Sequence, residues 1–343
     1  MSAPIGAGRL DRAYGAMLGL AIGDALGMPT QMLAYDEVVD RYGVLDCFHP
    51  GPPDHPIAAG LPAGHVTDDT DQAVIIGRLL VAGGGRIDPY AFVAELRAWQ
   101  ERMVAAGSGD LLGPSTRRAL ERVAAGEDIA AAGRDGTTNG AAMRIAPVGI
   151  ATTPDPLDRL VDAVAQVSRP THGSGLAIAG AATVAAAISA GIEGRPFATG
   201  LELALAAARL GARCGADGDT DLGSRIRRAI DLVSGIDPED ALALIDAQVG
   251  TSLATEESVP AAFAIASIFP AEPWDAARYA ASLGGDSDTI AAMAGAMVGA
   301  CCGASAFPQD QVAILETVNP DLGLTALTAS LLALRTGAAG RST

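Results

Sequence analysis

Apolar residues recur at helical spacing along nearly all of this 343-residue chain, and the alternation of a half-buried strand is almost absent. The periodic segments run over about 11–28, 70–82, 89–105, 115–125, 156–168, 173–191, 198–211, 220–234, 238–248, 259–269, 273–282, 288–303 and 309–317. Asp88-Pro89, Gly113-Pro114 and Asp237-Pro238 place proline at a first helical position, where its missing N–H has no partner to lose. Gly83-Gly84-Gly85 and Gly211 read as helix stops. The expected fold class is all-α. The length would allow one large domain or two, but no Pro- or Ser-rich linker divides the chain. One domain over 1–343 is expected, with its core at about 10–320.

Composition says what fills that core and which partners are excluded. Apolar residues make up 49 % of the chain and aromatics 4 %, so alanine and glycine must supply much of the interior, which suits closely packed helices. The net charge is −17 with 23 Lys+Arg, which argues against a large nucleic-acid footprint but permits a small anionic substrate. The stretches 173–192 and 289–307 are long enough for membrane spans, yet both are Ala/Gly-rich, and the second follows directly on two aspartates. They read as buried helices, and no membrane partner is expected. Met1–Arg12 carries Arg9, Asp11 and Arg12 and shows no signal-peptide pattern, so a cytoplasmic location is expected. Cys47, Cys214, Cys301 and Cys302 form no CxxC pair, Cys301 and Cys302 read as small core residues, and the histidines are scattered; no zinc site of ordinary spacing is expected.

Three acidic clusters stand out. Thr67-Asp68-Asp69-Thr70-Asp71 opens a helix, where it reads either as a cap suited to the helix dipole or as one wall of a cation site. Gly284-Gly285-Asp286-Ser287-Asp288-Thr289 opens another helix; its glycines allow a tight turn and leave room for an ion, and its oxygens suit a hard divalent cation. Asp217-Gly218-Asp219-Thr220-Asp221 lacks the glycine pair. An EF-hand would need glycine and glutamate where Leu222 and Arg228 stand, so this cluster reads as a capped loop. The first two clusters together offer enough oxygens for a two-metal site. The longest irregular stretch, 45–66, holds five prolines and three histidines and runs into the first cluster, as a lid or cleft rim would. Small residues around Asn139-Gly140 allow backbone N–H groups to approach a pyrophosphate. Arg144 suits either a phosphate or a core carboxylate. His172 reads as a histidine satisfied at a helix end. Asp24, in an otherwise apolar helix, needs a partner or a metal-bound water, and reads as a structural or metal-supporting acid rather than a solvated one.

The stretches "GAMLGLAIGDALG" (15–27), "GHVTDDT" (64–70), "TTNGAAMRIAPVG" (137–149), "THGSGLAIAGA" (171–181) and "GGDSDT" (284–289) together resemble the ADP-ribosylglycohydrolase family. The resemblance implies a single-domain all-α orthogonal bundle with a binuclear magnesium or manganese centre in a cleft, and cleavage at the anomeric carbon of an ADP-ribosyl group. Carried over by position, Thr67, Asp68, Asp69, Asp286, Asp288 and Thr289 hold two Mg2+ or Mn2+ ions, with Asp288 as the bridge. Two such ions orient ribose hydroxyls and acidify a water, whose proton Asp68 or Asp69 accepts. The resemblance puts Gln31, Thr138, Asn139, Gly140, Met143, Arg144 and His172 at the substrate. Many relatives carry glutamate where this chain has Gln31. Glutamine cannot transfer a proton, which favours an arginine leaving group over serine. The reading is a magnesium-dependent N-glycosidase, expected as a monomer, acting first on ADP-ribosyl-arginine protein. Hydrolysis of a smaller N-riboside, and a non-catalytic ADP-ribose binder or structural relative, are the competing readings.

Overall fold

A computed structural model describes residues 7–108, 112–216 and 220–337. These form α1 (Ala7–Gly27), α2 (Tyr35–Tyr42), α3 (Asp68–Ala82), α4 (Pro89–Ala105), α5 (Pro114–Ala124), α6 (Ile129–Ala132), α7 (Gly140–Met143), α8 (Ala146–Ala151), α9 (Leu157–Ser168), α10 (Gly175–Ile192), α11 (Phe197–Ala212), α12 (Leu222–Val233), α13 (Pro238–Gln248), α14 (Thr255–Ile268), α15 (Pro273–Ala281), α16 (Ser287–Cys302), α17 (Gln309–Val318) and α18 (Leu324–Gly337). No strand occurs among the described residues; an isolated antiparallel bridge joins Thr138 to Ala254. The fold is all-α, as the periodicity requires.

Each periodic segment read from the sequence is helical, and five further helices carry no such signal. α2 buries only Val38, so it has no apolar stripe to read. α6, α7 and α8 are four, four and six residues long, too short to display a period. α18 has leucines on several faces, with Leu331 fully buried and Leu327, Leu332 and Leu334 partly so, which blurs its pattern. α14 begins at Thr255, ahead of the expected 259, because Glu256 and Glu257 suit its first turn; Pro260 falls inside it.

The centre of the molecule is a contact between two backbones. Gly15, Gly19, Gly23 and Gly27 recur every fourth residue on α1 and face Gly299, Gly295, Ala291 and Asp288 on antiparallel α16. A Cβ on Gly19 would lie 2.1 Å from the Gly295 carbonyl oxygen, and one on Gly23 would lie 2.1 Å from that of Ala291. Only glycine permits this approach. The packing puts the C-terminal end of α1, with Asp24, beside the first turn of α16, with Asp288: a Cβ on Gly27 would sit 2.3 Å from the Asp288 Cα.

α10 packs against α7, α8, α9, α11, α14 and α16. It has the length and hydropathy of a membrane span, but 94 % of that window is buried inside the protein. The acidic cluster at 217–221 lies partly outside the described residues. Asp221 stands exposed at the start of α12, with its carboxylate 3.4 Å from Arg228.

Candidate active site

Asp24 fixes the start of α3. Its buried carboxylate accepts the backbone N–H and hydroxyl of Thr67 (2.9 and 2.6 Å) and those of Thr70 (3.1 and 2.5 Å). Four donors favour the charged form, yet burial outweighs them and pushes the group up to about 6. The partner that a buried acid in an apolar helix requires is therefore a helix N-terminus. Thr67 gives its hydroxyl proton to Asp24, which leaves its oxygen lone pairs free.

The start of α16 is fixed by its glycines. Gly284 and Gly285 both have positive φ (69° and 62°), a conformation that glycine adopts without strain. The expectation that they leave room for an ion is corrected by what surrounds them. A Cβ on Gly284 would meet the Leu33 carbonyl oxygen at 2.6 Å, and one on Gly285 would meet that of Thr251 at 2.4 Å. The space admits neighbouring backbone, which stitches the turn down: Gly285 N–H donates to Leu33 O at 2.8 Å, and Asp286 N–H to Thr251 O at 2.7 Å.

These two helix starts meet. Thr289 donates its hydroxyl to Asp69 at 3.3 Å, and Asp68, Asp286, Asp288 and Thr289 line one cavity of about 390 Å³. Asp69 is buried and does not line it, and its Oδ1 has no hydrogen-bond partner among the described residues. Burial raises Asp68, Asp69 and Asp288 well above the usual carboxylate range. Asp24 and Asp286 add repulsion at Asp68, Asp288 and Asp24 at Asp69, and Asp286 and Asp24 at Asp288. Asp286 is raised by burial too, against the pull of Asn139, whose amide donates to it at 2.5 Å. Asp71 turns away from the group and accepts from the Trp99 indole at 2.8 Å.

Thr138, Asn139, Gly140 and Met143 form another wall of the cavity. Arg144 and His172 are not among the residues that line it; both are buried, and His172 packs against Thr138 and Gly140 of this wall. A guanidinium only donates. Arg144 Nη1 donates to the Gln72 carbonyl oxygen, so the Gln72 amide nitrogen must donate to Asp68 Oδ2, at 2.8 Å. Arg144 Nη2 donates to the Thr171 hydroxyl at 2.5 Å and approaches His172 Nδ1 at 3.4 Å. Burial, then the Arg144 charge, holds His172 well below its usual range, so its ring is neutral. Nδ1 is then the acceptor, and Nε2–H donates to the Thr138 hydroxyl at 3.0 Å. His172 also presses on Gly140, where a Cβ would lie 2.8 Å from its Cε1. One polar chain thus joins Asp68 to Thr138 through the interior. Arg144 makes no ion pair among the described residues; burial lowers it to about 10, and Asp68 and Asp69 oppose that shift.

The remaining walls come from Gln31, from Met32, from Pro56 and Ile57 in the long loop, from Leu253, and from Leu112, Gly113, Pro114, Thr116 and Arg117 at the start of α5. Gln31 is buried, and its amide nitrogen has no hydrogen-bond partner among the described residues. Its backbone carbonyl is held by His55 Nε2 at 2.7 Å, while His55 Nδ1 accepts from Ile57 and Ala58 N–H. Met32 adopts φ +61° at the mouth, with 60 % of its surface exposed, an unusual conformation for a residue with a side chain. The α5 rim was missed in the sequence, although Gly113-Pro114 marked that helix start.

The donor set suits a hard divalent cation. Carboxylates and a hydroxyl converge on one cavity, a buried Asp69 oxygen is orphaned, and the like charges are crowded with Arg144 as a nearby cation held behind them. The described residues whose ligand atoms gather within 4.8 Å of one another are instead Asp46, Cys47 and His49, in the loop after α2.

The same architecture occurs elsewhere. A solved structure, "ADP-ribosylglycohydrolase-related protein complex", aligns with a TM-score of 0.69 and 28 % identity over 95 % of this chain and 98 % of its own. The Escherichia coli (strain K12) protein named "Uncharacterized protein YegU" is 35 % identical over 91 % of this chain and 93 % of its own. The Pseudomonas putida (strain GB-1) "ADP-ribosylarginine hydrolase Tri1" is 30 % identical over 88 % of this chain and 74 % of its own. Residues 6–340 match the ADP-ribosylglycohydrolase family, and the chain belongs to that family of hydrolases, which cleave the glycosidic bonds of ADP-ribose.

Proposed function

We propose that this protein releases ADP-ribose from ADP-ribosyl-arginine on proteins, with two Mg2+ or Mn2+ ions held by Thr67, Asp68, Asp69, Asp286, Asp288 and Thr289. The observation that carries the reading is the Thr289–Asp69 bond, which joins two acidic helix starts at the floor of one cavity. Bound there, the ions would orient ribose hydroxyls and acidify a water. Asp68 faces the cavity, whereas Asp69 does not line it, so Asp68 is the proton acceptor. The Gln72 amide fixes one of its oxygens. Asn139 holds Asp286, and His172 holds Thr138 from behind. Arg117 and the N-terminus of α5 line the rim, where a diphosphate would meet positive charge, and Met143, Leu112, Ile57 and Leu253 offer apolar surface to a base.

The leaving group follows from Gln31. Its orphaned amide can donate a hydrogen bond but cannot protonate a departing alkoxide. A guanidine leaves without that help more readily than a serine oxygen. The similarity to Tri1 supports the same linkage.

The test is ADP-ribose release from arginine- and serine-linked substrates, with Mg2+, with Mn2+ and with chelator. Arginine-linked release that chelator abolishes is expected. Gln31→Glu should raise serine-linked kcat/KM more than arginine-linked, toward the ~10²–10⁴-fold that acid–base assistance supplies. No release from arginine with either ion, or efficient serine cleavage by the native protein, would remove the assignment.

A further inference from the structure

The irregular stretch after α2 carries a cluster that the hydrolase reading leaves unused. Asp46, Cys47 and His49 place a carboxylate oxygen, a thiol sulfur and an imidazole nitrogen all within 4.8 Å of one another. The arrangement follows from how this segment is pinned. Leu45 and Phe48 are buried in the core, the Leu45 N–H donates to Ser282 Oγ at 3.0 Å, and Phe48 packs edge-on against Trp274 at 6.1 Å. Cys47 and His49, two positions apart, stay part-exposed, and the Tyr42 ring holds His49 edge-on at 5.1 Å. Cys47 Sγ and His49 Nε2 already stand 3.8 Å apart. Donors on a tetrahedral zinc ion, with bonds of about 2.3 Å to sulfur and 2.0 Å to nitrogen, are roughly 3.5 Å apart. Asp46 enters no ion pair among the described residues and contacts the Cys47 thiol.

We propose that Asp46, Cys47 and His49 form a second metal site, for a thiolate-preferring divalent cation of the zinc class, distinct from the all-oxygen cleft. Thiolate and imidazole select borderline ions, whereas the cleft offers only oxygen, which suits magnesium or manganese. Three protein ligands leave a fourth position for water. Binding releases the Cys47 proton to solvent and forms the sulfur–metal bond, with no change of oxidation state. The site lies at the start of the connection that later carries His55, Pro56 and Ile57 to the cleft, so occupancy would brace that rim from outside.

The test uses the reduced, chelator-treated full chain. Co2+ titration should give a thiolate-to-cobalt charge-transfer band in the near ultraviolet, and Zn2+ should displace it. Cys47→Ser should remove the band. It should also weaken Zn2+ binding, measured against a chromophoric chelator, by more than the roughly 10–100-fold typical of losing an outer-shell partner. His49→Ala should weaken binding while leaving helical circular dichroism intact, and Cys301→Ser should change nothing. The absence of a band in the native protein, or one that survives Cys47→Ser, would overturn the proposal. Mn2+ binding at the cleft involves no sulfur and is read separately, by manganese paramagnetic resonance, so the two metal assignments stand or fall independently.

Discussion

Two buried charges divide this molecule into a finished region and an unfinished one. Arg335, on α18, is 3 % exposed and pairs with Glu193 at 2.8 Å. Its remaining nitrogens donate to the carbonyls of Gly149, Ile150, Thr152 and Ser189 at 2.6–3.2 Å, near the ends of α8 and α10. Every donor of that guanidinium group has an acceptor. At the other region, Asp69 keeps an orphaned oxygen, Gln31 an orphaned amide, and several carboxylates repel one another. A buried charge that serves the fold is saturated by the protein. One that serves a ligand keeps spare capacity, and the protein tolerates the destabilisation.

The largest effect should come from the unfinished region. Asp288→Ala removes a buried carboxylate from the cavity floor and relieves repulsion on Asp69, so the fold should survive or gain stability. Turnover should fall by about 10²–10⁴-fold, the range of an acid–base or electrostatic contribution, with loss of Mn2+ binding. Calorimetric titration and single-turnover assays check both. Metal binding and turnover that persist would end the comparison.

Arg335→Met should do the reverse. Removing the cation leaves buried carbonyls without their donor while Glu193 keeps Arg9, which costs about 1–3 kcal/mol for each buried group left unsatisfied. Thermal unfolding should move down by several degrees, while kcat of the still-folded protein stays near native. Native-like stability in this variant would show that solvent replaces the guanidinium and that the region is not closed.

How much of this could be read from the sequence differs in the same way. The saturated interior is periodic, and every long helix with one apolar face was legible. The glycine ladder on α1 was visible as letters, but its meaning depends on the matching spacing of Gly295 and Gly299 on a partner far along the chain. At the site, Asp68, Asp286, Asp288 and the wall at 138–143 were legible as local motifs and do line one cavity. Arg144 and His172 sit next to motif residues in sequence but behind them in space, and a single sequence does not encode depth. The α5 rim and Gln72 carried no motif, because their roles come from what faces them.

An intermediate effect is expected along the polar chain between the cavity walls. Gln72→Leu cannot donate to Asp68 and leaves an Arg144 nitrogen without its acceptor. Mn2+ affinity should weaken by roughly 10-fold, as for an outer-shell partner, and kcat should fall more than KM rises. Gln72→Glu, which accepts from Arg144 but gives nothing to Asp68, should not restore it. Unchanged affinity in Gln72→Leu would make the chain structural only.

A smaller, graded effect follows from pH. Asp24 rises from 3.8 to about 6 on folding, and Asp68, Asp69 and Asp288 shift in the same direction, all chiefly through burial. A carboxyl raised in the folded state contributes stability that is full below its unfolded value and lost as pH climbs through its folded value. The metal-free protein should therefore lose stability from about pH 4 upward, with the Asp24 share gone somewhat above pH 6. Cations bind the deprotonated form, so the rise in Tm on adding Mn2+ should be larger at about pH 7.5 than at about pH 5. Equal shifts at both would mean that the ions bind elsewhere.

The smallest effect should come from the third acidic cluster, which tests whether acidity alone marks a site. Asp221 is exposed, is lowered by a hydrogen bond from Ser224 and by Arg228, and stands outside the cavity; Asp217 and Asp219 lie outside the described residues. An exposed acid already served by solvent, a hydroxyl and a guanidinium group has no unmet capacity to offer a buried ion. Replacing Asp217, Asp219 and Asp221 together with asparagine keeps their size and capping oxygens while removing the charge. Turnover should stay within about twofold and Mn2+ affinity should be unchanged, because exposed charges couple weakly through a Debye length of about 10 Å. A loss beyond about tenfold, equivalent to ~1.4 kcal/mol in the barrier, with helicity intact, would mean that this loop reaches the cleft. The division between saturated and unsaturated charge would then have to be redrawn around it.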